Sequence, residues 1–272
     1  MKQLLWLILL IIIAACATQP ASRTPPPALP TTALLQIGVV SSAEPIIPLL
    51  EASYAPENPQ VTLQFVVGNH SALLADLANG LLDAVLVHHI PEGNGRYFNP
   101  VALDGVAIVT HPDNPVNTLT RAEVQAIFNG RLTNWQAVGG RDEAIVLLSR
   151  EPGSGLGILL RQRVMAEQRI SPNVLLQAGN EAMLTAVANN PAAVGFSSMG
   201  SATQHSGVKI VMVDGRSATQ SSTRDQTYPL TTPLYFLAAT EAEPTGELRA
   251  FLAWLQSDAG QTVLGDLYGR IR

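Results

Sequence analysis

One cysteine in 272 residues leaves this chain with no possible intramolecular disulfide. Charged residues make up only 14% of it, and the formal net charge is −5. With Lys2 set aside, fifteen basic residues face twenty-one acidic ones. There is no basic stripe of the kind a nucleic-acid binder carries, so no nucleic-acid partner is expected. No cluster of cysteines and histidines offers a structural metal site, and there is no long internal repeat. The sequence displays no nucleophile–base pair and no carboxylate dyad, so catalysis is not expected and no cofactor is implied. Aromatic residues are 5% of the chain, and Trp135, Tyr228, Tyr235 and Trp254 are expected to pack rather than stack on a ligand.

The longest apolar run, Leu4–Ile13, is too short to span a bilayer, which needs about 20 residues. It follows Lys2 and precedes Ile13-Ala14-Ala15-Cys16, which is the layout of an export signal ending in a lipobox. Residues 1–15 therefore read as a signal peptide. Cys16 reads as the residue that accepts a diacylglycerol, which would anchor the protein outside the cytoplasm on a bacterial membrane. Residues 16–33 carry Pro20, Pro25, Pro26, Pro27 and Pro30 among threonines and serines, a composition that favours extended polyproline II over a packed core. They read as a tether.

Downstream, apolar strand-like runs alternate with helical patterns. Strands are expected at 34–40, 61–67, 84–87, 101–109, 145–148, 194–196, 209–213 and 234–238. Helices are expected at 44–55, 70–79, 120–128, 156–168, 181–189, 245–257 and from 259 onward, with Thr120 and Glu123 spaced as a capping box. The alternation predicts an α/β sheet, whose ligands bind beyond the carboxyl ends of the strands. Proline-marked junctions near 111–115 and 229–233 divide the body into a discontinuous first lobe, 34–110 with 234–272, and a second lobe, 111–233.

The most informative segment is Leu148–Gly157, LSREPGSGLG. It places a guanidinium, a hydroxyl and free backbone N–H groups at a helix start, the means of holding a tetrahedral oxyanion. Around it lie VAIVTHPDN (Val106–Asn114), LTRAEVQAIFNGRLTNWQAVGG (Leu119–Gly140), AVGFSSMG (Ala193–Gly200) and YPLTTPLYF (Tyr228–Phe236). In this order the set resembles the phosphate-binding family of ABC-transporter substrate-binding lipoproteins, over roughly Leu35–Gly269.

The resemblance implies a two-lobed periplasmic-binding-protein-like fold with a ligand cleft between lobes and two hinge crossings. It also implies capture of phosphate or a related oxyanion for an ABC permease. By position in the family pattern, Arg150, Ser154, Gly155, Ser41, Ser42 and Ser71 are the expected ligand contacts. Leu156 stands where the family usually has threonine, so one hydroxyl donor is lost. His88 stands where the family has an aspartate that accepts the hydrogen bond of protonated phosphate, with His89 as the neighbouring candidate. That exchange suggests relaxed selectivity toward sulfate, molybdate or tungstate. An oxyanion-sensing adaptor with the same fold is the alternative. A metal-dependent hydrolase using His88, His89 and Asp83 is a remoter one.

Overall fold

The computed structural model describes residues 32–166 and 168–271. The expected signal peptide, the expected anchor residue Cys16 and nearly all of the expected tether lie outside the described residues. The body from Thr32 to Arg272 is one compact unit by its internal contacts.

In chain order the body begins with β1 (Ala33–Val40), α1 (Ile46–Ser53), β2 (Val61–Gly68), α2 (His70–Ala78), β3 (Ala84–Val87) and β4 (Phe98–Thr110). It continues with β5 (Thr118–Leu119), α3 (Arg121–Phe128), β6 (Val146–Arg150), α4 (Gly155–Leu160), β7 (Leu175–Gln177), α5 (Asn180–Ala188) and β8 (Ala193–Ser198). It ends with α6 (Met199–Ala202), β9 (Lys209–Val213), α7 (Gln220–Arg224), β10 (Thr231–Ala238), α8 (Gly246–Gln256) and α9 (Asp258–Leu264).

The main path of the sheet runs β2-β1-β3-β10-β4-β8-β6-β7. The pairs β1–β2, β1–β3, β6–β8 and β6–β7 are parallel, whereas β10 runs antiparallel to both β3 and β4. β4 is the long shared strand. Its first half pairs with β10 and its second half with β8 and β9.

Two hydrophobic cores sit on this sheet. One joins Leu35–Ala102 to Leu234–Tyr268 and is covered by α1, α2, α8 and α9. The other lies within Val106–Leu230 and includes Trp135, Phe128, Phe196 and Leu156. The chain passes from one core to the other inside β4, near Asp104 and Gly105, and returns just ahead of Leu234. Strands that are apolar on both faces, such as the fully buried Ala84–Val87, are what helices packed on both sides of a parallel sheet require.

Most expected elements form, with shifts at the ends. The helix expected from Glu44 starts at Ile46, after a 3₁₀ turn at Ser41–Ala43. The helix expected over 156–168 is shorter. α4 widens into a π turn at Arg161–Met165 and stops at Ala166, whose φ of 51° is left-handed. Thr120 and Glu123 do make the capping box that opens α3. Trp135 and Tyr228 are buried, and the Trp135 indole donates to the Ala192 carbonyl at 2.9 Å. Among the described residues no helix is long and apolar enough to cross a membrane.

Candidate functional site

The carboxyl ends of β1, β3, β6 and β8 meet the first turn of α2 around one buried centre. Arg150 is the last residue of β6 and is only 6% exposed. Its Nε donates to Glu151 Oε2 at 2.9 Å, and its Nη2 donates to Glu151 Oε1 at 3.2 Å and to Ser41 Oγ at 3.1 Å. Nη1 is buried and has no partner. An unmatched buried donor costs on the order of 1–3 kcal/mol, more on a charged group, which points to an anion as the missing partner.

Glu151 is the hub behind that guanidinium. It also accepts from Asn69 Nδ2 at 2.9 Å and from the Gly179 N–H at 3.2 Å. Burial pushes the Glu151 carboxyl up, but the hydrogen bond and charge of Arg150, helped by backbone donors, hold it below its ordinary value.

Ser154 is buried and caps α4, its Oγ accepting from Gly157 N–H at 3.3 Å. The cap leaves the hydroxyl proton free to donate elsewhere. Gly155 faces the first turn of α2, where a Cβ on it would lie 3.4 Å from His70 Nδ1. Leu156, in place of a hydroxyl residue, is 1% exposed and belongs to the core around Trp135.

On the opposite side Ser42, His88 and Asp104 form a buried row. Ser42 Oγ lies 3.2 Å from His88 Nδ1, and His88 Nε2 lies 2.8 Å from Asp104 Oδ2. Asp104 Oδ1 accepts the Gly105 and Gly200 N–H groups at 2.7 and 3.2 Å. With Oδ1 taken by two donors, Oδ2 is the acceptor for His88 Nε2–H. Ser42 Oγ and Nδ1 share the other hydrogen bond of the ring, its direction following the tautomer. The Ser42 carbonyl is tied down in turn by the Ser198 and Ser201 hydroxyls at 2.7 and 2.8 Å.

Ser71 lies on the rim. It is exposed, and its N–H and Oγ both donate to the Gly153 carbonyl, at 3.2 and 3.4 Å. Asn69 caps α2 by accepting the Ser71 N–H while its Nδ2 reaches Glu151 and the Pro152 carbonyl. His89 is half-buried beside His70, ring centroids 5.7 Å apart. Asp83 precedes β3, and its carboxylate accepts the Gln36 N–H, while both histidines follow the far end of that strand.

The centre sits between two clefts. One, of about 400 Å³, includes Ser41, Asn180 and Ser201 in its walls. The other, of about 210 Å³, includes His88, His89 and Thr232. Of the residues expected at the site, the structure brings Arg150 to Ser41 and Ser42 to His88, and it sets Gly155 against His70 with Ser154 capping the same helix. The sequence reading passed over His70, Asp104, Ser198 and Ser201. Asp104 carried a signal, since it is the one acidic residue in the apolar strand VALDGVAIV (Val101–Val109).

These features define a class: an α/β binding protein with two cores on one curled sheet and its polar centre between them. A family model described as the PBP superfamily domain matches residues 22–259, and the chain belongs to that family. The phosphate-binding protein PstS of Bacillus subtilis is 24% identical over 230 residues, which cover 82% of this chain and 75% of that protein. A solved structure from Clostridium perfringens, described as a phosphate ABC transporter substrate-binding protein with bound phosphate, superposes with a TM-score of 0.81 at 24% identity. It covers 88% of this chain and 100% of its own. An ABC-type phosphate transport receptor from Vibrio cholerae superposes with a TM-score of 0.69 at 27% identity, covering 86% and 99%.

Proposed function

We propose that this protein captures phosphate outside the cytoplasm and delivers it to an ABC permease, held at the membrane by a lipid on Cys16. The observation that carries this reading is the buried Arg150 guanidinium with Nη1 unpartnered, beside the Ser41, Ser42, Ser154 and Gly155 backbone and hydroxyl groups. The phosphate-binding relatives support the same ligand. Glu151 already balances the charge of Arg150, so the centre attracts an anion by local hydrogen bonds rather than by the field of an acidic protein.

The ligand contacts are Arg150, Ser154, Gly155 and Ser41, with Ser42 positioned by His88. Both ring nitrogens of His88 are held by protein groups, so it acts through Ser42. The two cores serve as the lobes, so the first crossing lies inside β4 near Asp104 and Gly105, ahead of the proline-marked junction at 111–115, and the second lies just ahead of Leu234. Their relative rotation about β4 and the start of β10 would open the centre and close it. Asn69 and Ser71 on one side and Glu151–Gly153 on the other are the contacts that close the rim.

Calorimetric titration of the full chain in detergent against phosphate, sulfate, molybdate and tungstate tests this. One phosphate per chain is expected. Heat with none of the four anions would overturn the reading.

A further inference from the structure

His70 is the second side chain at this centre whose buried polar atom has no partner. It is 3% exposed, its Nδ1 is unpaired, and its ring packs against Gly155 at the start of α4. The other groups that face an anion here are donors. Arg150 has only N–H groups to offer, Ser154 already accepts from Gly157, and the Ser42–His88–Asp104 row is internally satisfied. An oxyanion that keeps a proton needs an acceptor as well, and the free imidazole nitrogen is the group placed to supply it.

We propose that His70 is the specificity-determining residue of this site, a neutral imidazole whose Nδ1 accepts the hydrogen bond of a protonated oxyanion. The inference rests on the oxyanion reading of Arg150 above, and it assigns phosphate-like anions rather than fully ionised ones. The ring's surroundings agree. Burial, then the charges of His89 and His88, push His70 down to about 4, so it is uncharged at neutral pH. The groups around it are His88 and His89 from the end of β3, and Gly155 from α4. Sulfate, which carries no proton at neutral pH, would set its lone pairs against those of Nδ1. Phosphate would satisfy them.

The test is calorimetry of the full chain at pH 7 with sodium phosphate and sodium sulfate, on the unaltered protein, His70→Ala, His70→Gln and Arg150→Ala. One hydrogen bond to a charged ligand corresponds to about ten- to a hundredfold in affinity. His70→Ala should lose that factor for phosphate and little for sulfate. His70→Gln, whose Oε1 can accept, should recover part of the preference. Arg150→Ala should lose both anions. Loss in Arg150→Ala with no change in His70→Ala overturns the role of His70 and leaves the oxyanion reading standing. An unaltered protein that takes neither anion overturns both. If the His70 variants fail to fold, ¹⁵N imidazole spectra of the unaltered protein decide. The His70 Nδ1 resonance should move with phosphate and not with sulfate, and a signal indifferent to both contradicts the proposal.

Discussion

At the residue scale, buried His70 and half-buried Glu151 make the centre sensitive to acid. The folded chain holds His70 at about 4, below its ordinary 6.5. Unfolding therefore takes up a proton in that window. Stability is full above pH 6.5 and falls as pH drops toward 4, by up to about 3 kcal/mol. Glu151, also held below its ordinary value, extends the same trend to more acid pH. Thermal unfolding scans between pH 7 and 4.5 should show the melting temperature dropping, and His70→Gln should flatten the slope. Asp104 is held by hydrogen bonds from three buried donors. Removing its carboxylate in Asp104→Ala strands His88 Nε2 and the Gly105 and Gly200 N–H groups in the interior. The cost should be about 3–5 kcal/mol, read as a lower urea midpoint with an unchanged slope.

At the scale of elements, the loop from β6 to α4 and the first turn of α2 are built to touch. Gly153 has φ of +84°, and a Cβ there would sit 2.7 Å from Ser71 Oγ and 2.8 Å from Asn69 Oδ1. Gly153→Ala should therefore push α2 away from the Arg150 loop and weaken phosphate binding at least tenfold. The loss of stability should be about 1 kcal/mol, and paired titration and unfolding curves check both. The elements themselves were largely legible, because period and capping are local. Thr120 with Glu123 announced α3, and the glycine loop announced the start of α4. The π turn at Arg161–Met165 and the short β7 were not, since neither carries a periodic pattern long enough to register.

At the scale of the whole molecule, what the sequence hid is what the sheet brings together. Ser42 and His88 are 46 residues apart, His88 and Asp104 sixteen, and Asn69 and Glu151 eighty-two. No spacing rule connects such pairs. They meet because strand ends from both cores converge where β4 passes between them. Arg150 was legible through its motif, whereas His70 became visible only when its ring proved buried and unpartnered. A ligand held between two cores should also stabilise both together. Phosphate at a hundred times its dissociation constant should add about 2.7 kcal/mol and raise the melting temperature of the full chain. Differential scanning calorimetry with and without phosphate reads this directly.

In the proposed function Arg150 holds the ligand. Equilibrium dialysis of radiolabelled phosphate against the unaltered protein and Arg150→Ala tests it most directly. One phosphate per unaltered chain is expected, with loss of retained label in Arg150→Ala and an intermediate result for Arg150→Lys, because a point charge replaces a planar fork. Equal retention by the unaltered protein and Arg150→Ala would contradict it.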